Sequence, residues 1–264
     1  MGDTPRWARY PFLDHPGPLA FAHRGGAKYE PNDGIENTMA AFGNAVGLGY
    51  RYLETDVHAT SDGVLIAFHD ETLDRVTDRQ GRIADMPFRE VEKARIGGRE
   101  PIPLLEDILD TWPDARLNID VKEANAIEPL VRAVERTNAH DRICVSSFSG
   151  RRIKRARKLL GPEVASGLAP LGIALVRLPL PRGLGRLLVA DVPCVQVPVS
   201  YYGFRILTKG FVDLAHALGK QVHVWTVDEP DEMRALLDLG VDGLITDRID
   251  TLRDVLTERG QWTP

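Results

Sequence analysis

The stretch 52-YLETDVHATSDGVLIAFHD-70 decides the fold of this chain. It holds two apolar runs, residues 52–57 and 64–68, and between them lies the turn sequence Thr60-Ser61-Asp62-Gly63. That turn is too short for the crossover that joins two parallel strands, so the second run must return antiparallel to the first. We therefore predict a hairpin here, and we leave residues 64–68 out of the count of parallel strands.

Elsewhere, short apolar runs alternate with longer amphipathic segments along the chain. The predicted strands are residues 19–23, 52–57, 116–121, 143–147, 164–168, 194–197, 222–227 and 243–246. The predicted helices are residues 38–48, 104–109, 126–137, 151–160, 210–218, 231–239 and 249–259. This alternation predicts a parallel sheet covered by helices, and eight strands are the number that closes a barrel. We predict an α/β fold, a (β/α)8 TIM barrel with a small antiparallel hairpin after strand 2, rather than an open doubly wound sheet. Residues 1–18 would be an N-terminal extension and residues 19–264 a single barrel domain.

Composition excludes several functional classes. The chain has 264 residues, of which 43% are hydrophobic, and its formal net charge is -5, which argues against a nucleic-acid partner. Residues 1–19 contain no apolar core of a secretory signal, and no uncharged stretch is long enough to span a bilayer, so we expect a cytoplasmic protein. Cys144 and Cys194 lie in strand-like runs and are expected to be buried thiols rather than a disulfide.

Carboxylates lie where the predicted strands end. Glu54 and Asp56 are two residues apart on one strand, so both point into the barrel, and Asp120 arrives from the next parallel strand. Buried carboxylates are costly unless something neutralises them, and an all-oxygen set favours Mg2+ or Ca2+. The alternative is that Glu54 or Asp56 forms a salt bridge with Arg24 or Lys122.

His23 and His69 also lie at strand ends, each beside a charged neighbour. Imidazole groups titrate near neutral pH, so the two histidines suit general acid–base chemistry. Three carboxylates and one divalent cation sum to a single negative charge, and Arg24 and Lys122 bring the sum to a single positive charge. That balance suits a monoanionic phosphodiester and its more negative transition state.

Taken together, these motifs resemble the glycerophosphodiester phosphodiesterase family. The motifs are His23-Arg24-Gly25, Glu36-Asn37-Thr38, Glu54-Thr55-Asp56-Val57, Asp62-Gly63, Phe68-His69-Asp70, Thr72-Leu73-Asp74-Arg75, Ile119-Asp120-Val121-Lys122, Ser147-Phe148, Val224-Trp225-Thr226-Val227-Asp228, Gly240-Val241-Asp242-Gly243 and Thr246-Asp247. They follow one another in family order over most of the chain.

The resemblance implies a metal-dependent barrel hydrolase that cleaves glycerophosphodiesters to an alcohol and glycerol 3-phosphate. It implies an acid–base pair (His23, His69), phosphate ligands (Arg24, Lys122), a pocket wall (Trp225) and three ligands for one Mg2+ or Ca2+ ion (Glu54, Asp56, Asp120). One position departs from the family pattern, because the third ligand is commonly Glu and here it is Asp120. The shorter side chain is expected to alter how the ion is held.

The sequence leaves several local interpretations open. Glu36 either belongs to a helix N-terminus capped by Asn37 or supports Arg24 in the site. Residues 164–189, which include Arg177, Arg182 and Arg186, either wall an acyl-chain pocket or pack as a barrel helix, and packing is favoured. The basic residues at 151–158 are either a solvated helix face or a peripheral contact with anionic lipid.

Two rival functions also stay open. One is a lysophospholipase D-like enzyme, which would use the same residues on a lipid. The other is a barrel that binds phosphodiesters or lipids without catalysis; against it, both histidines, all three carboxylates, Arg24 and Lys122 are present.

Overall fold

The structure is a computed structural model that describes residues 6–176, 192–201 and 203–264. Its strands are β1 (Leu19–His23), β2 (Tyr52–Ala59), β3 (Leu65–Ala67), β4 (Arg95–Ile96), β5 (Glu100–Pro101), β6 (Arg116–Val121), β7 (Ile143–Ser146), β8 (Ala165–Ser166), β9 (Cys194–Pro198), β10 (Ser200–Tyr201), β11 (Phe204–Arg205), β12 (Gln221–Trp225) and β13 (Gly243–Thr246). Its α-helices within the described ranges are α1 (Met39–Gly47), α2 (Phe88–Val91), α3 (Leu105–Thr111), α4 (Ile127–Arg136), α5 (Gly150–Leu160), α6 (Pro170–Val176), α7 (Lys209–Ala217), α8 (Pro230–Leu239) and α9 (Ile249–Glu258).

Eight parallel strands form a nearly closed barrel in the order β8-β7-β6-β2-β1-β13-β12-β9. The circle is completed between β8 and β9 by an isolated bridge from Gly167 to Cys194. There the Leu168 amide donates to the Cys194 carbonyl at 3.0 Å. The predicted TIM barrel is therefore confirmed, and its shortest ladder is the seam between β8 and β9.

The barrel interior is apolar at one end and polar at the other because alternate residues of each strand point inward. An apolar cluster fills the amino-terminal end, with Leu19, Phe21, Tyr52, Cys144, Cys194 and Ile245 among its members. Above it lies an amide pair, in which Gln196 donates to the Asn118 side chain at 2.9 Å. The carboxyl ends of the same strands hold the charged residues. The buried apolar side chains at the amino-terminal end of the barrel thus stabilise the strands that carry the polar site at the carboxyl-terminal end.

The predicted hairpin after β2 is confirmed. β3 pairs antiparallel with β2, and Val57 faces Ala67 in the register. The excursion is larger than a hairpin, however, because the chain continues through α2, β4 and β5 before it returns to the barrel at α3. Its apolar side chains form a separate buried cluster of Ile66, Phe68, Leu73, Ile83, Val91, Ala94, Ile96 and Ile102.

The N-terminal segment covers the amino-terminal end of the barrel. Its described part forms two 3-10 turns, Arg6–Arg9 and Pro11–Leu13. Phe12 is buried, with its ring centroid 5.4 Å from the ring of Tyr52 and edge-on to it. The Tyr52 hydroxyl donates to the Phe12 carbonyl at 2.9 Å. The segment predicted as an extension therefore packs on the barrel domain from Trp7 onward.

Two expectations from composition can be compared with the described residues. No described helix has both the length and the apolar character that crossing a bilayer requires. Cys144 and Cys194 are both buried free thiols, and their sulfur atoms are 3.9 Å apart.

Substituting Phe12→Ala is expected to lower the free energy of unfolding by about 3–5 kcal/mol, because it opens a cavity under the barrel. Chemical denaturation would measure the change. The matched control is Phe204→Ala, since the Phe204 side chain is 74% exposed and its loss should change stability little. Equal effects of the two substitutions would contradict the packing role of Phe12.

Candidate active site

The predicted site residues meet at one cavity at the carboxyl ends of the barrel strands. The cavity has a volume of about 480 Å3. Its walls include His23, Arg24, Glu54, Asp56, His69, Asp120, Lys122 and Trp225. Glu36 is not among the wall residues, but its carboxylate accepts a hydrogen bond from the Arg24 guanidinium at 3.0 Å.

A tight turn after β1 positions Arg24. Arg24 has a φ of 52° and Gly25 a φ of 86°, both in the left-handed region that favours glycine. A Cβ atom at Gly25 would lie only 2.8 Å from the Cβ of Ala41, so α1 packs directly on this turn. The Arg24 amide donates to the Glu54 carbonyl at 3.0 Å, which holds the unusual backbone in place.

The three carboxylates are buried side by side. Glu54 is 5% exposed, Asp56 3% and Asp120 8%. Asp56 and Asp120 are partners in the parallel register of β2 and β6. Burial raises the pKa of Glu54, and the nearby charge of Asp56 raises it further. Burial also raises the pKa of Asp120. Burial therefore disfavours the ionised forms of Glu54 and Asp120.

Two cations neutralise Asp56. The Lys122 ammonium group lies 2.7 Å from the Asp56 carboxylate and 2.8 Å from that of Asp120. The Nε atom of Arg24 is 3.3 Å from the other Asp56 oxygen. Burial alone would raise the pKa of Asp56, but Lys122 and Arg24 lower it overall. The structure thus shows the salt-bridge alternative for Asp56, with both Arg24 and Lys122 as partners.

Each of the two histidines is anchored by a carboxylate. Nδ1 of His23 lies 2.6 Å from Asp247, and Nδ1 of His69 lies 2.6 Å from Asp70. Burial lowers the pKa of His23, but the negative charges of Glu54 and Asp247 outweigh burial and leave that pKa raised. Because Nδ1 is engaged in each ring, Nε2 is the nitrogen left for proton exchange.

A charged network joins the His69 anchor to Arg24. Arg75 donates from Nε to Asp70 at 2.6 Å and from Nη2 to Glu36 at 2.7 Å. Glu36 in turn accepts from Arg24. Burial raises the pKa of Glu36, but hydrogen bonding to Arg75 and the charge of Arg24 lower it overall. Glu36 therefore lies where the site interpretation predicted.

Of the two interpretations left open for this segment, capping of α1 by Asn37 is not the one the structure shows. The side chain of Thr38 is the cap of α1, accepting from the Ala41 amide at 3.2 Å. Asn37 has a φ of 57°, accepts from the Thr55 hydroxyl at 2.8 Å and donates to Asp56 at 3.4 Å. Its amide thus supports the carboxylate cluster rather than the helix end.

The described residues contain no group of three His, Cys, Asp or Glu side chains arranged to hold a metal ion. Lys122 instead lies between Asp56 and Asp120. Two features still suit a cation: Oδ1 of Asp120 is buried without a hydrogen-bond partner, and the pKa of Glu54 is raised. The donor set is all oxygen, which fits a hard divalent ion.

A comparison of sequences now adds to this geometry. The profile of the glycerophosphoryl diester phosphodiesterase family matches residues 23–251. This chain belongs to that family. It is accordingly an enzyme, a phosphodiester hydrolase.

Known relatives of this phosphodiesterase cover nearly its whole length. A Mycobacterium tuberculosis protein named "Probable glycerophosphodiester phosphodiesterase 2" is 47% identical over 95% of both chains. A human protein named as a lysophospholipase D is 27% identical over 89% of this chain and 85% of its own. The crystal structure of a glycerophosphodiester phosphodiesterase from Parabacteroides distasonis is 25% identical, has a TM-score of 0.74, and covers 92% of this chain and 98% of its own.

One side of the cavity is apolar. Trp225 packs edge-to-face on Phe148, with ring centroids 5.9 Å apart. The described part of the 164–189 segment contributes Leu168, Pro170 and Ile173 to the wall. The favoured interpretation, helix packing, holds for Val176, which is buried in the core, and the three wall residues show that the same part also lines the cavity. The rest of the segment, with Arg177, Arg182 and Arg186, lies outside the described residues.

Several residues that support the site received no role in the sequence analysis, although Arg75 and Asp247 stood in the family motifs. Asp247 pairs with His23 across 224 positions, and Arg75 joins Asp70 to Glu36. The His58 ring contacts the His69 carbonyl at 3.1 Å. The position of Asp247 directly after a strand was the available signal for it. Its pairing with His23, which is 224 residues away in the sequence, occurs only because the barrel closes.

The substitution Asp70→Asn tests the Arg75 network through stability. Burial opposes ionisation of Asp70, but hydrogen bonds from Arg75 and His69 lower its pKa to about 2. A lowered folded-state pKa stabilises the protein above the unfolded value near 4, and this contribution is lost as pH falls through about 2. We expect the variant to lose roughly 1–2 kcal/mol at pH 7, with the difference shrinking below pH 4.

Urea unfolding across a pH series would measure this difference. The control Asp231→Asn removes a carboxylate whose side chain is 98% exposed, and it should change stability little at any pH. A pH-independent loss in Asp70→Asn would show that the residue acts by packing and not by its charge.

Proposed function

We propose that this enzyme hydrolyses glycerophosphodiesters to an alcohol and glycerol 3-phosphate, with His23 and His69 as the acid–base pair. The observation that carries the proposal is that two carboxylate-anchored histidines line the same cavity as two cations. A barrel enzyme that catalyses a different kind of reaction would not need two histidines beside an anion-binding site. The relatives' names point to the same substrate class.

Arg24 and Lys122 are the proposed phosphate ligands. Nε of Arg24 is buried and lacks a well-aligned hydrogen-bond partner, so it has donor capacity for a phosphoryl oxygen. Lys122 is held by two carboxylates, which raise its pKa against the effect of burial and keep it charged. Both groups would stabilise negative charge that increases in the transition state.

The histidines would move the two protons of the reaction. One imidazolium donates a proton to the oxygen of the departing alcohol, while the other imidazole accepts a proton from the nucleophile. The nucleophile is either water or the substrate's own glycerol 2-hydroxyl, and the second route passes through a cyclic phosphate. Phosphorus NMR of early product distinguishes the two routes, because a cyclic ester and glycerol 3-phosphate have different spectra.

Glu54, Asp56 and Asp120 would hold one Mg2+ or Ca2+ ion. Such an ion supplies positive charge to a phosphoryl oxygen. Asp120 is the most available ligand, because its Oδ1 atom is buried and unpartnered. Glu54 is the next, since burial and the charge of Asp56 raise its pKa, and a bound cation would stabilise its ionised form. Trp225 would wall the pocket that holds the glycerol or the head group.

The direct test is incubation with glycerophosphocholine and an enzymatic assay for glycerol 3-phosphate. The proposal requires stoichiometric release of glycerol 3-phosphate and choline. Protein that is folded, supplied with both ions and inactive on several head groups would rule out this function.

His69→Ala and His23→Ala are each expected to lower kcat by about 10²–10⁴-fold, because each removes a proton-transfer group. The control His140→Ala removes a histidine remote from the cavity and should leave kcat unchanged. Thermal unfolding of all three variants would show whether a loss of rate comes from a loss of fold. A near wild-type rate in His69→Ala would overturn the acid–base assignment.

EDTA is expected to abolish turnover, and added Mg2+ or Ca2+ to restore it. Asp120→Asn should weaken the apparent affinity for the restoring ion by about 10–100-fold, since it removes a charge but hardly changes volume. Asp120→Glu, which supplies the residue common in the family, should retain metal-dependent activity. Full activity of EDTA-treated, dialysed enzyme would argue against a metal requirement.

A lysophospholipid is the second candidate substrate. The observation that favours it is the apolar side of the cavity, to which Leu168, Ile173 and Ile206 contribute. Lysophosphatidylcholine should be tested beside glycerophosphocholine at equal concentrations. Choline release from the lysolipid alone would move the enzyme to the lipid-cleaving branch.

We also propose a cytoplasmic location and a single catalytic domain over residues 19–264. The free thiols of Cys144 and Cys194 suit a reducing compartment, because sulfur atoms this close would be prone to oxidation elsewhere. Residues 1–18 would be an N-terminal extension, and its described part, residues 6–18, would close the amino-terminal end of the barrel.

A further inference from the structure

Exposed apolar side chains cluster on one side of the cavity mouth. Five large apolar residues are exposed in the described part of the chain: Phe148 (59%), Leu159 (45%), Leu171 (77%), Tyr201 (53%) and Phe204 (74%). Four of these five lie beyond the carboxyl ends of β7, β8 and β9. We call Phe148, Leu171, Tyr201 and Phe204 the apolar rim. Scattered exposure is normal for single residues, but a cluster marks an interaction surface.

The fold brings the apolar rim together from three separate connections. Phe148 lies between β7 and α5, Leu171 lies on the first turn of α6, and Tyr201 and Phe204 face each other in the β10–β11 hairpin. β7 and β8 are paired neighbours, and β9 follows across the seam. The residues thus lie on one side of the opening, on the connections that follow three neighbouring strands.

Positive charge lies next to the apolar rim. Helix α5 has the sequence GRRIKRARKLL, with six basic and no acidic residues, in a chain whose net charge is -5. Its first residue, Gly150, is close to Ala169 just before α6. Arg151 and Lys154 are exposed and form no ion pair within the described ranges. Arg205 adds an exposed cation inside the hairpin.

We propose that the apolar rim docks on the surface of an anionic lipid bilayer. Exposed aromatic and aliphatic side chains enter the interface between head groups and acyl chains, and flanking basic residues are attracted to anionic head groups. Helix α5 runs away from the apolar rim and rises 1.5 Å per residue. Arg151, in the first turn of this helix, therefore stays within the range of the bilayer's negative surface potential. The proposal does not depend on the proposed hydrolysis.

A bilayer fits these features better than a protein partner does. The apolar side chains come from three separate connections beside the mouth of a cavity, whereas a protein interface usually has a packed contiguous centre. The local excess of positive charge on an acidic protein matches a negatively charged plane. Docking in this orientation would place the cavity mouth at the lipid surface.

Cosedimentation with vesicles tests the proposal in EDTA and without substrate, so it is independent of catalysis. We expect binding to vesicles of equal parts phosphatidylcholine and phosphatidylglycerol, weaker binding to pure phosphatidylcholine, and release by salt. The double variant Leu171→Ser, Phe204→Ser should reduce binding by roughly tenfold or more. Neither residue lines the cavity.

Matched controls use features of similar chemistry elsewhere on the surface. Leu159→Ser removes an exposed leucine from the last turn of α5, at the far end of the barrel, and should not change binding. Arg151→Glu should weaken binding to the anionic vesicles, whereas Arg253→Glu on α9, on the opposite side of the barrel, should not. Thermal unfolding would confirm that each variant is folded.

Three outcomes would overturn the proposal. The wild-type protein fails to bind anionic vesicles at low salt, the double variant binds as well as the wild type, or Leu159→Ser loses as much binding as the double variant. A dimer that the double variant abolishes, in a protein that ignores vesicles, would assign the rim to a second copy of the chain.

Discussion

The contact of the Lys122 ammonium group with Asp56 and Asp120 is the interaction on which the site depends. β2 and β6 are parallel neighbours in register at these aspartates, so the barrel forces two carboxylates to lie side by side. Burying two like charges is strongly unfavourable unless a cation lies between them. Lys122 supplies that cation from the same strand end, and Arg24 adds a second one.

The loops around the cavity show the same pairing of opposite charges. Each positive group in the cavity is held by a negative group behind it, and each histidine by an aspartate. Glu36 and Arg75 connect the turn after β1 to the excursion after β2, and Asp247 connects the last strand to the first. The large excursion after β2 therefore contributes to the site, because it positions His69, Asp70 and Arg75 at the barrel mouth.

Much of this arrangement follows from local pattern. The period of two placed Glu54 and Asp56 on one face, and the short turn at residues 60–63 predicted the antiparallel return. Strand ends predicted which residues would meet, since parallel strands share one carboxyl edge. The bounds of β1, β6 and β13 agree with the predicted ranges.

What the sequence could not provide depends on tertiary structure. Asn37 and Thr38 are both good caps, and only the contact of Asn37 with Asp56 decides between them. The pairing of Asp247 with His23 requires a closed barrel. Exposure of Phe148, Leu171 and Phe204 runs against their hydrophobicity, so a pattern-based analysis counts them toward the core. Such exceptions are expected where a surface has a function other than stability.

The most direct test of the central claim, that this cavity works on phosphorus, is hydrolysis of glycerophosphocholine in water enriched in oxygen-18. Phosphorus NMR then locates the label through its isotope shift. The account predicts that glycerol 3-phosphate carries the heavy oxygen on phosphorus, because the cations and histidines surround a phosphoryl group. Label found in choline instead would mean cleavage at carbon and would contradict the account.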